Sequence, residues 1–135
     1  AWASWQVTDI WRLSAGATVL RNDLRLQPDS NDPEGVDNPT LSNDPEYQRM
    51  LRSSLDLPGP SKLEVGIRYV SELPHPVVPS YRTVDVFYGW QLDNNLEISA
   101  SVQNMSAYTS HIEFGAPTDS RQFERSAFLK LTWMN

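Results

Sequence analysis

A strict two-residue alternation of apolar and polar side chains, held over most of this chain, restricts it to β-structure. The alternation predicts strands over Trp11–Leu26, Arg49–Leu57, Lys62–Ser71, Thr83–Leu92, Asn95–Met105 and Ser126–Met134, preceded by a shorter one over Trp2–Val7. Taken from Trp11 to Val19 and through the central part of the other five, one parity of the six longer segments gathers 25 positions, from Trp11, Leu13 and Ala15 to Leu129, Leu131 and Trp133, of which only Ser53 is polar and none is charged. The opposite parity gathers 24, nine of them charged and only Phe87 and Phe128 apolar. A single register therefore separates a dry face from a wet one on every strand, and a slip of one residue would invert it. No segment sustains a helical period, so helix should be nearly absent.

A sheet with one dry and one wet face can be built in two ways. A soluble sandwich turns the dry face inward against a companion sheet, and a transmembrane barrel turns it outward to lipid. Composition leaves both open. The chain has 135 residues, the length of one domain, with a mean hydropathy of −0.48. It has no apolar run long enough for a membrane helix. There is no cysteine, which excludes disulfide frameworks and thiolate metal sites. With 11 basic against 17 acidic residues, generic nucleic-acid binding is disfavoured. The start, Ala1-Trp2-Ala3-Ser4-Trp5, reads neither as an initiator methionine nor as a secretory leader, which suggests a piece of a longer protein.

Connection lengths and tryptophan positions favour the barrel. Thr8–Ile10, Pro58–Ser61 and Asp93–Asn94 read as short turns, whereas about 27–48, 72–82 and 106–125 are long. Short and long links alternate, so a meander would put all short turns at one rim and all long loops at the other, as in outer-membrane barrels. Trp5, Trp11, Trp90 and Trp133 all fall near the short-turn rim. A sandwich core would centre its indoles, whereas a membrane interface collects them into a girdle. The segments are also close to the roughly 9–11 residues that a tilted strand needs to cross a bilayer.

One of the long links is distinctive. Asp29, Asp32, Glu34, Asp37, Asp44 and Glu46 lie between Gln27 and Glu46 with no Lys or Arg among them, and they account for the whole net charge of −6. Pro28, Pro33, Pro39 and Pro45 keep this stretch out of helix and central strand. It reads as a solvated loop, because its carboxylates lack the spacing of a calcium loop.

At this point the residues resemble a family. Leu51-Arg52-Ser53-Ser54-Leu55-Asp56-Leu57, Gly66-Ile67-Arg68-Tyr69-Val70, Pro79-Ser80-Tyr81 followed by Thr83-Val84-Asp85, Trp90, Leu96 through Gln103-Asn104-Met105, His111-Ile112-Glu113-Phe114 and Arg125-Ser126-Ala127-Phe128 follow one another. In order and spacing they resemble the last barrel strands of TonB-dependent outer-membrane receptors over roughly 50–135, and residues 1–26 resemble the preceding hairpin. Two positions depart from that pattern: Met105 stands where leucine is usual, and the chain closes on Trp133-Met134-Asn135 rather than on an aromatic residue.

The resemblance implies an all-β, up-and-down meander of about six to seven strands, an open part of a transmembrane β-barrel spanning 1–135. It implies a location in the outer membrane of a Gram-negative bacterium and uptake of a scarce nutrient such as a ferric siderophore. Its partners would be outer-membrane lipid, the siderophore or other small nutrient, and TonB, reached through an N-terminal plug and earlier strands that this segment does not contain. No nucleic-acid partner and no cofactor are implied. A soluble all-β ligand- or carbohydrate-binding module, and another outer-membrane barrel such as a porin or adhesin, are the alternatives.

Chemistry-bearing motifs are sparse. No nucleophile elbow, zinc-protease helix motif or phosphate loop occurs, which points away from an enzyme, with no catalytic and no metal-ligating residue to nominate. Two histidines fall short of a structural zinc cage. His75, His111 and Glu113 are the candidate ligand-contacting residues, within outward loops at 27–46, 74–79 and 107–121. The wet-face charges Arg12, Arg52, Asp56, Glu64, Arg68, Asp85, Glu97 and Lys130 are expected to pair within the wall rather than to touch substrate.

Overall fold

A computed structural model describes residues 1–22, 28–29, 31, 44–74, 77–105, 110–112 and 122–133. Eleven strands follow one another: β1 (Trp2–Thr8), β2 (Trp11–Val19), β3 (Tyr47–Leu57), β4 (Ser61–Val70), β5 (Leu73–Pro74), β6 (Val77–Val78), β7 (Tyr81–Gln91), β8 (Leu96–Gln103), β9 (Ser110–Ile112), β10 (Gln122–Glu124) and β11 (Ser126–Trp133). Seven of them form one antiparallel sheet in the order β1-β2-β3-β4-β7-β8-β11, an open up-and-down meander whose edges are β1 and β11. There is no helix among the described residues. The pairs β5–β6 and β9–β10 are small separate hairpins inside two of the long connections.

The register matches like with like. Trp11 faces Leu55, Leu55 faces Leu63, Leu63 faces Tyr88, Tyr88 faces Ala100 and Ala100 faces Leu129, so a single apolar rung crosses six strands. A rung on the other face runs Ser14, Arg52, Gly66, Asp85. Pairing of this kind fixes the register, because any slip would mix the two sets. The short turns carry the expected chemistry. Gly59 adopts φ 81°, a left-handed conformation that costs other residues more, and Asp93 accepts a hydrogen bond at its Oδ1 from the Asn95 amide at 2.8 Å.

Three sequence expectations are corrected. β2 stops at Val19 instead of running to Leu26, although the Leu20 amide still donates to the Glu46 carbonyl at 2.9 Å. β3 and β7 begin earlier than expected, at Tyr47 and Tyr81. Arg49, already inside its expected segment, and Arg82, added by the earlier start of β7, both have dry parity at its long-loop end, so that face is not free of charge throughout. The two minor hairpins were not anticipated, since strands of two or three residues carry no legible period.

Among the described residues, the buried apolar side chains lie at the long-loop rim. Val70, Leu73 and Val78 are the buried apolar residues. Leu73 and Val78 border the same recess as Gln48, Arg68, Val70 and Tyr81, which all have wet parity. The β5–β6 hairpin therefore folds inward over the wet side. The β9–β10 hairpin is tied down by Asn104. This residue is 5% exposed, sits at φ 55°, donates from Nδ2 to the Phe123 carbonyl at 2.8 Å and gives its own amide to Asp85 Oδ1 at 2.9 Å. The next amide, of Met105, reaches the Val84 carbonyl, so Asn104 is the extra residue of a bulge. Asn104→Ala is expected to destabilise the fold by about 1–3 kcal/mol, from positive φ and a lost buried hydrogen bond together. Asn104→Gly, which keeps the backbone freedom, should cost roughly half of that. Urea titration of the three proteins checks the ranking.

Candidate functional site

Among the described residues nothing covers the centre of the dry face. Leu129 is 79% exposed, Trp133 69%, Leu131 66% and Trp5 65%, and no second sheet lies on them among the described residues. Leu55, Val86 and Ile98, which a sandwich would seal, are half-buried, and Ile67 is exposed. An apolar surface of this extent marks a face that meets something apolar.

The tryptophans are placed on that face by the register. Trp5 shares a rung with Leu13 and Ser53, Trp11 with Leu55, Trp90 with Ser61 and Leu57, and Trp133 with Leu96. From β1 to β11 each successive tryptophan lies one apolar rung nearer the short-turn rim. The rims climb with them: the last pairs before the short turns are Thr8↔Trp11, Leu57↔Ser61 and Gln91↔Glu97, each nearer that rim than the one before. The line through the indoles thus leans against the hydrogen-bonding direction by about one residue per strand. With a rise of ~3.4 Å per residue and ~4.8 Å between strands, that lean is about 35°. Strands of closed membrane barrels tilt by about 35–45°. The fifth tryptophan, Trp2, pairs with Gly16 on the wet face, and a Cβ at Gly16 would fall 2.7 Å from its ring. It is therefore off the line of the other four.

At the other end of the dry face Arg49 faces Tyr69, and Tyr69 faces Arg82. Arg82 and Trp90 are both on β7, eight residues apart, which is about 27 Å along the strand and about 22 Å along an axis inclined by that lean. The apolar band of a membrane barrel is about 25 Å tall. Sequence reasoning missed this second border because Arg49 stands at the very start of its expected segment and Arg82 falls just before the expected start at Thr83. Only the pairing of Arg82 with Tyr69 puts it in the sheet and on one rung with Arg49.

The wet face is a shallow, mixed-charge wall. A recess of about 370 Å³ is lined by Met50, Arg52, Glu64, Gly66, Arg68, Asp85, Phe87 and other residues. Lys62 pairs with Glu64 along β4 at 2.5 Å, and Asp56 is opposite Lys62. Arg12 Nε donates to Gln6 Oε1 at 2.9 Å, and the Arg68 guanidinium stands 5.6 Å from the centre of the Tyr81 ring. Arg52 and Asp85 flank Gly66, where an added Cβ would meet nothing within 4 Å. Opposite charges are thus spaced across the wall, with an open glycine between two of them.

The candidate ligand contacts are not brought together. His75 and Glu113 lie outside the described residues, as does most of the acidic stretch 27–46, and of His111 the structure places the backbone, in β9. Among the described residues no group of three His, Cys, Asp or Glu stands close enough to hold a metal ion. Among the described residues no helix is long and apolar enough to cross a membrane, a test that does not bear on strands. No protein-family model, curated protein or solved structure matches this chain.

Proposed function

We propose that this chain forms part of the wall of a transmembrane β-barrel in the outer membrane of a Gram-negative bacterium. The observation that carries the reading is the bare dry face, bordered by a line of indoles inclined at the tilt of a closed barrel. The sheet has two unpaired edges and too few strands to enclose a wide lumen, so further strands would complete it. The wet face, with its spaced charges, would line the lumen, and the long connections would face outward. A soluble sandwich needs a companion layer, and none is present among the described residues.

The finer reading is transport, as the C-terminal barrel segment of a TonB-dependent receptor for a scarce nutrient such as a ferric siderophore. It rests on the order and spacing of the short motifs from Leu51 to Trp133. In this reading the strands are wall, and TonB acts through a plug that the family carries before its barrel. A plug encoded upstream of Ala1 would support the receptor, and a frame without one would turn the reading toward a porin.

Depth-resolved fluorescence tests the membrane assignment. In bilayers whose lipids are brominated near the headgroup, emission of Trp5, Trp90 and Trp133 should be quenched more strongly than in bilayers brominated at the chain end, because indoles of a girdle sit at the interface. Single-tryptophan variants read each position. A protein that stays monomeric in water and shows no quenching at either depth overturns the assignment.

A further inference from the structure

The two edges of the main sheet are guarded unequally. β1 carries a bulge, with a register shift between Gln6 and Thr8, and bulges blunt an edge. β11 pairs with β8 through every residue from Ser126 to Trp133 without a shift, and it contains no proline, no glycine and a single charge, Lys130. A regular edge of this kind is a template for another strand. Its two wet-side protrusions have little beside them on β8: Phe128 faces Ser101 and is 55% exposed, and Lys130 faces Ser99 and makes no ion pair among the described residues.

We infer that β11 docks a second copy of this chain edge to edge, antiparallel and centred on Leu129. In that register Leu129 meets Leu129 of the second copy, Ala127 meets Leu131, Phe128 meets Lys130 and Ser126 meets Thr132. Apolar residues face apolar ones on the dry side. On the wet side an ammonium lies beside a phenyl ring and hydroxyl faces hydroxyl, each twice by symmetry. Other centres lose this match. Lys130 at the centre would oppose two ammoniums, Phe128 at the centre would pair only 126–130 within the strand, and a centre between residues would set dry against wet. With the wet sides on one side, antiparallel contact of two β11 edges is a twofold, and it closes at two copies. β1 and β11 run in the same direction, so β11 against β1 of a second copy would be parallel, the weaker pairing. The inference concerns the edge of the sheet and does not rest on what its faces meet. Any strand that completes the wall at this edge competes with the second copy.

The test needs no bilayer, because micelles of a non-ionic detergent cover the dry face whatever lies beyond the edges. The 135-residue chain has no cysteine, so one introduced thiol reports one position. Under mild oxidation the Leu129→Cys chain should form a disulfide dimer, since its two backbones would stand about 4.5–5.5 Å apart. A mixture of the Phe128→Cys and Lys130→Cys chains should cross-link at least about fivefold more than either chain alone, where the thiols are two residues out of register and too far apart to bridge. Stacked dry faces would not bring these wet-side positions together. In sedimentation equilibrium Phe128→Lys should weaken the dimer about tenfold, because it opposes two pairs of ammoniums, and Phe128→Lys/Lys130→Glu should restore it. A chain that is monomeric throughout the concentration series overturns the inference. So does Lys130→Cys cross-linking alone as well as in the mixture, or Phe128→Lys dimerising as well as the parent chain. None of these results touches the membrane reading, which the indole depths test.

Discussion

Val65→Arg should cost the inserted protein about 2–4 kcal/mol, while Gly66→Arg, one residue further on, should change its stability by less than about 1 kcal/mol. Val65 lies halfway along β4 on the dry face, facing Ser53 and Val86 in a rung that also contains Trp5. A guanidinium there is held near the bilayer midplane, as far from either interface as this strand allows. Gly66 points to the other side, and its position has room for a side chain. It lies beside Asp85, whose carboxylate would receive the new charge, and replacing glycine in a strand removes an entropic penalty. Unfolding by denaturant from phosphatidylcholine bilayers measures both. The penalty should also depend on depth: moved to Tyr69, at the border of the band, the same substitution should cost roughly 0–1 kcal/mol. Equal costs at 65 and 66 would mean that the two faces meet the same medium, which no membrane wall allows.

Much of this arrangement is legible in the sequence, for identifiable reasons. Parity alone sorts Leu63, Val65 and Ile67 from Lys62, Glu64 and Gly66, because a strand has a period of two whatever surrounds it. The alternation of short and long links gives the meander, since Pro58-Gly59-Pro60 and Asp93-Asn94 can do little but turn. The lean of the tryptophan line is a different kind of fact. It depends on how each strand is offset from its neighbour, and offset is a property of pairs. Trp90 and Trp133 can be assigned to one rim from sequence, but their separation by one rung appears only once Trp90 is seen opposite Ile98 and Trp133 opposite Leu96. The Asn104 latch is hidden for a similar reason. Its conformation is set by Asp85 and by the Phe123 carbonyl, both 19 residues away. The inward β5–β6 hairpin depends on Val78 becoming covered at the rim beside Val70 and Leu73, and a two-residue strand leaves no pattern of its own.

The edge strand separates lipid from water most sharply, because one substitution should act in opposite directions in the two media. Leu129→Lys is expected to reduce self-association of the chain in detergent-free buffer several-fold and to cost about 2–4 kcal/mol of stability in a bilayer. Leu129 is central on β11, facing Ala100, and is 79% exposed, the most exposed of the large apolar residues. In water it contributes to a bare apolar surface on a strand whose outer edge has unpaired backbone groups, a template for another chain, and an ammonium there blocks both routes to association. In a bilayer the same position is near mid-band, between the Gln103↔Ser126 rim and Trp133. There the ammonium would have to be taken out of water or drawn toward an interface along its own stem. Lys130, the next residue, points to the wet side and already carries a charge. Lys130→Leu should therefore be close to neutral in the bilayer and raise association in buffer. Sedimentation velocity reads the first effect and denaturation from bilayers the second. If Leu129→Lys is tolerated in the bilayer as well as in buffer, the exposed leucines face water in both, and a membrane wall is the wrong description of this sheet.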